Sequence, residues 1–304
     1  MQVAVFGATG DQGAGQLRRL LAAGHSPVAI SRKPAASTQY ETRAADFADH
    51  ASLIRAIEGV DAIFLNFPST SFNAADPLIE AAGVIANAAA QSPTMSVLVF
   101  NTSLPVSKEK MGYMAQDARV DMRARILASG VPAVIVQPVV FLDNLLKAWC
   151  WPGILAEGRI VYPHAETLDV TWICHDDIAD LMIAAMTRPH LAGRIFAIGG
   201  GETVRGPQLA AKLSRAWRRK LTFHSLGVED YAARMYQVFS RTTNIDADRL
   251  VGELIRNYRR YNESPDRPFH IDMAPVLKEL PVTLCTIEDW AARQALPPDW
   301  PYES

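Results

Sequence analysis

The sequence predicts an α/β fold built on a doubly wound parallel sheet, followed by a smaller, mostly helical region. Three observations carry that expectation. Val3-Ala4-Val5-Phe6 is a short apolar run that turns through Gly7, Gly10 and Gly13 straight into a stretch with helical apolar spacing. From there to about Gln137, apolar runs alternate with amphipathic ones, the pattern of βα units. Only strands covered on both faces read as continuously apolar, so these runs point to parallel pairing. Finally, 49% hydrophobic against 20% charged residues over 304 positions suffice for a large core in one or two domains.

The opening turn is the most informative stretch. Gly7 permits a tight turn, Gly10 lets backbone amides approach an anion, and Gly13 lets helix pack on strand. The helix begun near Asp11, with Ala14, Leu17, Leu20 and Leu21 on its apolar positions and Gly24 at its end, offers its first-turn N–H groups and partial positive charge to a diphosphate. Strand, glycine turn and helix together predict a Rossmann-type dinucleotide site, with Thr9, Asp11 and Gln12 beside the glycines.

The next elements define which dinucleotide. Pro27 to Ser31 reads as a second strand, and its end lacks the acid that accepts from a ribose 2′-hydroxyl. Ser31-Arg32-Lys33 stands there instead, suited to a 2′-phosphate through charge-assisted hydrogen bonds, so the expected cofactor is NADP(H). Arg43 to Phe47 is expected as a third strand ending beside the adenine, with Asp46 either accepting from its amine or capping a helix, and Phe47 next to it. Leu53, Ile54 and Ile57 give a helical face closed by Gly59. A fourth strand, Val60 to Asn66, places Asn66, Phe67 and Pro68 over the cofactor. The helix Pro77 to Gln91 leads to a fifth strand, Ser96 to Ser103, whose end puts Thr102 and Ser103 where ligands of open α/β sheets sit. A helix from about Ala115 to Ser129 and a sixth strand, Ala133 to Gln137 ended by Pro138, complete the regular rhythm.

Beyond Phe141 the rhythm breaks. Trp149-Cys150-Trp151-Pro152 reads as a pocket wall or interface rather than a helix interior. Ile160 to Pro163 and Val170 to Ile173 read as short strands. Asp176-Asp177 opens a helix with Ile178, Leu181, Met182, Ala185 and Met186 on one face, and Arg194 to Gly200 returns as a seventh strand. Helices follow around Pro207–Trp217, Glu229–Phe239 and Asp246–Tyr258, with a last one begun by Thr286 and Asp289 in a capping pattern. The expected organisation is a dinucleotide-binding domain over 1–148, an insertion over 149–175 for substrate, a return to the sheet over 176–200, and a substrate, lid or interface region over 201–304.

Composition narrows the partners. Thirty basic against 32 acidic residues give a net charge of −2, so no global field favours nucleic acid or anionic lipid. The basic run Arg215, Arg218, Arg219, Lys220 reads as a solvated helix end. No apolar run approaches the ~20 residues of a membrane span and the first residues enter a strand at once, so the expected location is cytoplasmic, with no membrane partner. Cys150, Cys174 and Cys285 are odd in number and lack Cys-x-x-Cys spacing, and His164, His175, His224 and His270 lack ligand spacing, so no metal is expected. Cys174-His175-Asp176 reads as a strand-to-helix junction rather than a catalytic trio.

Gly7-Ala8-Thr9-Gly10-Asp11-Gln12-Gly13, Ser31-Arg32-Lys33, Ser129-Gly130-Val131-Pro132, Gln137 to Asn144 and Asp177-Ile178-Ala179 resemble, in order and spacing, the NmrA-like branch of the atypical short-chain dehydrogenases/reductases, relatives of the isoflavone reductases. The resemblance runs from Met1 to about Tyr231. It implies an NADP-binding fold, with Pro138 and Phe141 joining the cofactor contacts, and either an NADPH-dependent reductase or a non-catalytic NADP-binding regulator acting through a protein partner. Carbonyl-reducing members of the wider superfamily use Tyr-x-x-x-Lys, but four residues after Tyr113 stands Asp117. Where catalytic isoflavone-reductase-like members carry a lysine, this chain has Arg119, which can hold ribose hydroxyls but cannot act as a base.

The expected function is therefore hydride transfer from NADPH to an acceptor that is already electrophilic, a quinone or conjugated enone, with Tyr113, Ser103 or water supplying a proton. Phe67, Tyr113, Phe141, Trp149 and Trp151 are the expected contacts of a flat apolar substrate. Both readings admit a homodimer.

Overall fold

In the computed structural model, residues 1–68, 75–240 and 246–302 are described. The chain divides into two units. The first comprises Met1–Pro138, His175–Ile198 and Ala274–Val282; the second comprises Val139–Cys174, Gly199–Met273 and Thr283–Ser304.

The first unit is built on a parallel sheet of seven strands among the described residues. These are β1 (Gln2–Phe6), β2 (Ser26–Ser31), β3 (Glu41–Ala44), β4 (Ala62–Asn66), β5 (Val97–Asn101), β6 (Ala133–Pro138) and, later in the chain, β8 (Ile195–Ile198). Their order is β3-β2-β1-β4-β5-β6-β8, with every neighbouring pair parallel. This is the Rossmann arrangement, and the direction of strand order reverses between β1 and β4. Helices flank the sheet: α1 (Asp11–Ala22), α2 (His50–Ala56), α3 (Asp76–Gln91), α4 (Met114–Ala128) and α6 (His175–Met186), joined by α10 (Met273–Glu279) beyond its first residue, while the connection from β2 to β3 carries no helix.

The strands are apolar because both faces are covered. Ala4, Val28, Ile63, Leu65, Leu98 and Ile135 are all fully or nearly fully buried in one core with Leu53 of α2 and Ile85 of α3. On the other face, α6 lies against α1, where Arg19 pairs with Asp180 through two hydrogen bonds of 2.7 and 2.6 Å. Arg194 holds Glu279 of α10 in the same bidentate way.

The second unit holds α5 (Trp151–Glu157), β7 (Arg159–Tyr162), α7 (Gly206–Trp217), β9 (Thr222–Ser225), α8 (Val228–Phe239), α9 (Ala247–Glu263) and α11 (Ile287–Ala292). β7 and β9 form a two-stranded parallel sheet. Rings fill its interior in two clusters. Tyr162 packs on His164, Trp172 and Tyr231, while Trp151 lies between Trp217 and Trp300. The Trp217 indole donates to the Ala291 carbonyl and that of Trp300 to the Trp217 carbonyl, which pins α11 and the chain end to α7.

Several expectations from the sequence require correction. The third strand is Glu41–Ala44, so Asp46 lies beyond it in a turn, where its carboxylate accepts from the Ala48 amide. Asp49, not Asp46, caps α2 by accepting from the Ser52 amide. Ile54, expected on the buried face of that helix, is 46% exposed because Leu53, Ala56 and Ile57 take the inward positions. Val170–Ile173 forms no strand, only isolated bridges to Phe141 and Val204. Trp151 opens a helix, with Pro152 in its first turn where no amide is needed. The basic run lies at the end of α7 with Arg215, Arg218 and Lys220 exposed, as expected, but Arg219 is drawn in, donating to the Ile154 and Leu155 carbonyls and stacking over Trp300. β9 and α10 were not foreseen.

Candidate functional site

The site is built where strand order reverses, at the carboxyl ends of β1 and β4, the crevice in which open α/β sheets take ligands. Gly7 leaves β1 with φ of +70°, a conformation that a side chain disfavours. A Cβ on Gly13 would lie 2.2 Å from the Gly7 carbonyl oxygen and 2.7 Å from Ala8 Cα, so only glycine lets α1 sit this close to the turn. Gly10 is the N-cap of α1, extended and without a side-chain cap, and Thr9, Gly10 and Asp11 are exposed. The turn is thus open to solvent at Thr9 to Asp11, at the positive end of a twelve-residue helix whose first amides have no partner within the helix. A diphosphate fits this cradle by the chemistry of its donors.

Arg32 and Lys33 follow β2 and are both exposed, with no ion pair or hydrogen bond to the described residues; Ser31, which ends the strand, is half-buried. Asp46 is exposed nearby in sequence to Phe47, whose ring packs on Phe6 and Phe67. Phe67 in turn meets Phe100 edge-on and is only 6% exposed, so it belongs to the core beneath the site rather than to an open wall. Pro68 beside it is exposed.

Under the glycine turn runs a chain of amides. Gln16 and Asn66 exchange two hydrogen bonds of 2.9 and 2.7 Å, and Asn66 also donates to the Phe6 carbonyl at 2.9 Å. Asn101 Nδ2 bridges Asn66 Oδ1 at 3.1 Å and Gln12 Oε1 at 2.7 Å. Gln12 then donates to Ser103 Oγ at 3.1 Å, while Asn101 Oδ1 accepts from the Ser103 amide at 2.9 Å. Ser103 sits at φ of +62°, an uncommon backbone state for a serine that these two contacts hold in place. The network ties the first turn of α1 to the end of β5. Gln16 and Asn101 were missed from the sequence. Gln12 and Gln16 stand four apart on one helix face, a signal that was available.

Arg119 is buried. Its Nε donates to the Thr102 carbonyl at 2.7 Å and its Nη1 to the Ala115 carbonyl at 2.9 Å, so it braces the loop between β5 and α4. Thr102, also buried, gives its hydroxyl to the Leu104 carbonyl. Tyr113 is the half-buried N-cap of α4, and Asp117 uses both carboxylate oxygens to accept from the Met111 and Gly112 amides. Pro138 is buried at the end of β6, paired in register with Ile198.

The remaining expected contacts lie in the second unit. Phe141 bridges to Ile173. Trp149 packs on Phe239, its carbonyl accepts from Arg234, and its buried indole nitrogen has no partner among the described residues. Trp151 is committed to the tryptophan cluster.

The sequence model of the NmrA-like family matches residues 1–290. A (4-alkanoyl-5-oxo-2,5-dihydrofuran-3-yl)methyl phosphate reductase of Streptomyces griseus is 29% identical over 284 residues, covering 88% of this chain and 95% of that protein. The NADPH-dependent quinone oxidoreductase of Escherichia coli, solved with NADPH, aligns with a TM-score of 0.71 at 20% identity, over 96% of this chain and 99% of that one. The negative transcriptional regulator NmrA, solved with NADP, aligns with a TM-score of 0.70 at 19% identity, over 96% and 94% of the two chains. At these identities the structural likeness is one of fold.

Proposed function

This chain belongs to the NmrA-like family, and from that premise we propose that it binds NADP(H) at the glycine turn and reduces an electrophilic, flat, apolar acceptor of quinone or conjugated-enone type. The single observation that carries the proposal is the glycine turn, in which Gly7 takes a positive φ and Gly13 has no room for a Cβ, followed after β2 by two exposed cations unpaired among the described residues and no acid.

NADPH, when bound, supplies the hydride. The protein's part is to hold and orient. The first-turn amides of α1 take the diphosphate, and Arg32, with Ser31 and Lys33, takes the 2′-phosphate. Asp46 and Phe47 are assigned to the adenine side, and Asn66, Pro68, Thr102 and Pro138 to the walls along the bound nucleotide, with Arg119 bracing the Thr102 carbonyl behind them. Gln12 donates to Ser103 Oγ, which leaves the serine O–H available to donate to an oxygen of the acceptor. Tyr113, Ser103 or water delivers the proton that balances hydride addition.

The absence of a lysine at two positions supports the choice of acceptor class. Asp117 occupies the position of the superfamily lysine and spends its carboxylate on two loop amides, and Arg119 spends its guanidinium on two carbonyls. Neither residue is a lysine that could lower a tyrosine pKa, which supports a substrate that itself accepts hydride readily. The reductase of Streptomyces griseus acts on a dihydrofuranone, whose ring double bond is conjugated to a carbonyl, and supports this choice.

Stopped-flow oxidation of NADPH against a panel of quinones and enones tests the proposal: turnover with at least one class, and none with simple aldehydes or ketones, is expected. Tight NADPH binding with no turnover across the panel would overturn it in favour of the regulatory reading, in which Arg119 is only a brace.

A further inference from the structure

Cys174 and Cys285 lie 111 positions apart in sequence, yet their sulfur atoms are 3.4 Å apart within the second unit. Both stand on backbone that is held. Ile173, next to Cys174, donates its amide to the Val140 carbonyl, and Thr171 binds Thr203 and the Ile271 amide through its hydroxyl. On the other side, Thr286 caps α11, the Ile287 amide donates to Glu202, and the Cys285 carbonyl lies 3.5 Å from where a Gly201 side chain would begin. The two sulfurs therefore meet because two anchored segments bring them together. Cys174 is 1% exposed and Cys285 is half-buried.

We propose that Cys174 and Cys285 form a reversible disulfide, a redox modification site in the second unit. A disulfide needs a sulfur separation of about 2.05 Å, so closure of about 1.4 Å suffices, within reach of a side-chain rotation. The oxidant is a peroxide. The better exposed thiol, Cys285, attacks as its thiolate: an S–O bond forms, the peroxide O–O bond breaks, and the alcohol or water leaves. Cys174 sulfur then attacks the sulfenic sulfur: the S–S bond forms, the S–O bond breaks, the hydroxyl departs as water with the Cys174 proton, and two electrons have passed to the peroxide. Cys150 is the internal control, since burial pushes its thiol up to about 12 and keeps it protonated and inert.

The test treats the full chain with excess hydrogen peroxide, quenches, denatures and alkylates it in the presence of a chelator. Alkylation should fall from three labels to one, the remaining label on Cys150, with a mass loss of about 2 Da that dithiothreitol reverses. Peptide mapping should recover residues 174 and 285 cross-linked within one chain. The thermal midpoint of the oxidised form should rise by about 5 °C, a rise that Cys285→Ser abolishes while keeping the reduced midpoint. Three labels after oxidation, a cross-link involving Cys150, a link between two chains, or Cys285 carried on to sulfinic acid with Cys174 still alkylated would each overturn the proposal.

Discussion

Replacing Gly13 by Ala asks whether the glycine turn is a cofactor cradle or a plain strand-to-helix corner. The added Cβ would stand 2.2 Å from the Gly7 carbonyl oxygen, where ordinary contact begins at 3.4 Å. Both groups are backbone, so no side chain can swing away; α1 must lift from the turn by about 1 Å. Hydrogen bonds from its first-turn amides to a diphosphate tolerate only a few tenths of an ångström. Losing two bonds to a charged group, at about 1.5–3 kcal/mol each, weakens binding by about 3–6 kcal/mol, or roughly 10²- to 10⁴-fold. Overpacking adds about 1–3 kcal/mol of lost stability. NADPH fluorescence titration measures the first effect, and circular dichroism with urea unfolding the second. Gly24→Ala is the companion: it strains a φ of +76° but meets nothing within 4 Å, so it should cost about 1 kcal/mol of stability and leave binding unchanged. A Gly13→Ala protein that is folded and binds NADPH within threefold of the parent would refute the reasoning.

Three further outcomes follow from the same contacts. Arg32→Ala should weaken NADPH binding by about 10- to 100-fold with NADH unaffected; parallel loss of both nucleotides in calorimetric titration would remove Arg32 from 2′-phosphate recognition. Asn101→Leu leaves Gln12, Asn66 and the Ser103 amide without a shared partner and should cost about 2–4 kcal/mol in urea unfolding, with slower acceptor reduction as Ser103 loses its position; an unchanged urea midpoint would show that water replaces the amide at no cost. His164 is fully buried among rings with neither nitrogen partnered among the described residues, and burial lowers its pKa to about 3. Its folded pKa lies below the unfolded value of about 6.5, so the unfolded chain takes up the proton first and stability falls as pH drops below about 6.5. About 2 kcal/mol should be lost between pH 7 and 5, and His164→Phe should remove that component; an equal pH dependence in the variant would show that the histidine plays no part.

The first unit was legible because its signals are local. A strand buried on both faces announces itself as an unbroken apolar run, Gly13 is forced by approaches of less than 3 Å, and Gly7 by its positive φ. Seven strands were expected in the sheet, and seven are found in it. Strand ends were less legible: Asp46 looked like a strand terminus, but β3 stops two residues earlier because Ser52 and Asp49 draw the chain into the turn before α2. Aromatic residues misled more. Phe67 and Trp151 looked like walls of a pocket, yet each is absorbed by rings distant in sequence, Phe100 and Phe47 for one, Trp217 and Trp300 for the other. A sequence shows that a ring wants cover but not what covers it. The second unit was least legible for the same reason, since β7 and β9 are four residues each and pair across more than fifty positions.

Arg119 shows how one position bears on both readings of the chain. A lysine there could reach the nucleotide as a mobile point charge, whereas arginine's planar fork is suited to binding two acceptors at once. Here those acceptors are the carbonyls of Thr102 and Ala115, so the side chain fixes the loop that carries Ser103. Arg119→Lys separates the two roles. If bracing is what matters, the variant loses one of the two carbonyl contacts, Ser103 shifts, and turnover falls with little change in NADPH affinity. If the position instead serves the nucleotide directly, lysine restores the residue that the resemblance to isoflavone reductases implies there, and both NADPH affinity and carbonyl reduction rise. The steady-state split between KM for NADPH and kcat, measured with one quinone and one ketone, distinguishes them: a gain on the ketone would refute the bracing role and with it the restriction to acceptors that are already electrophilic.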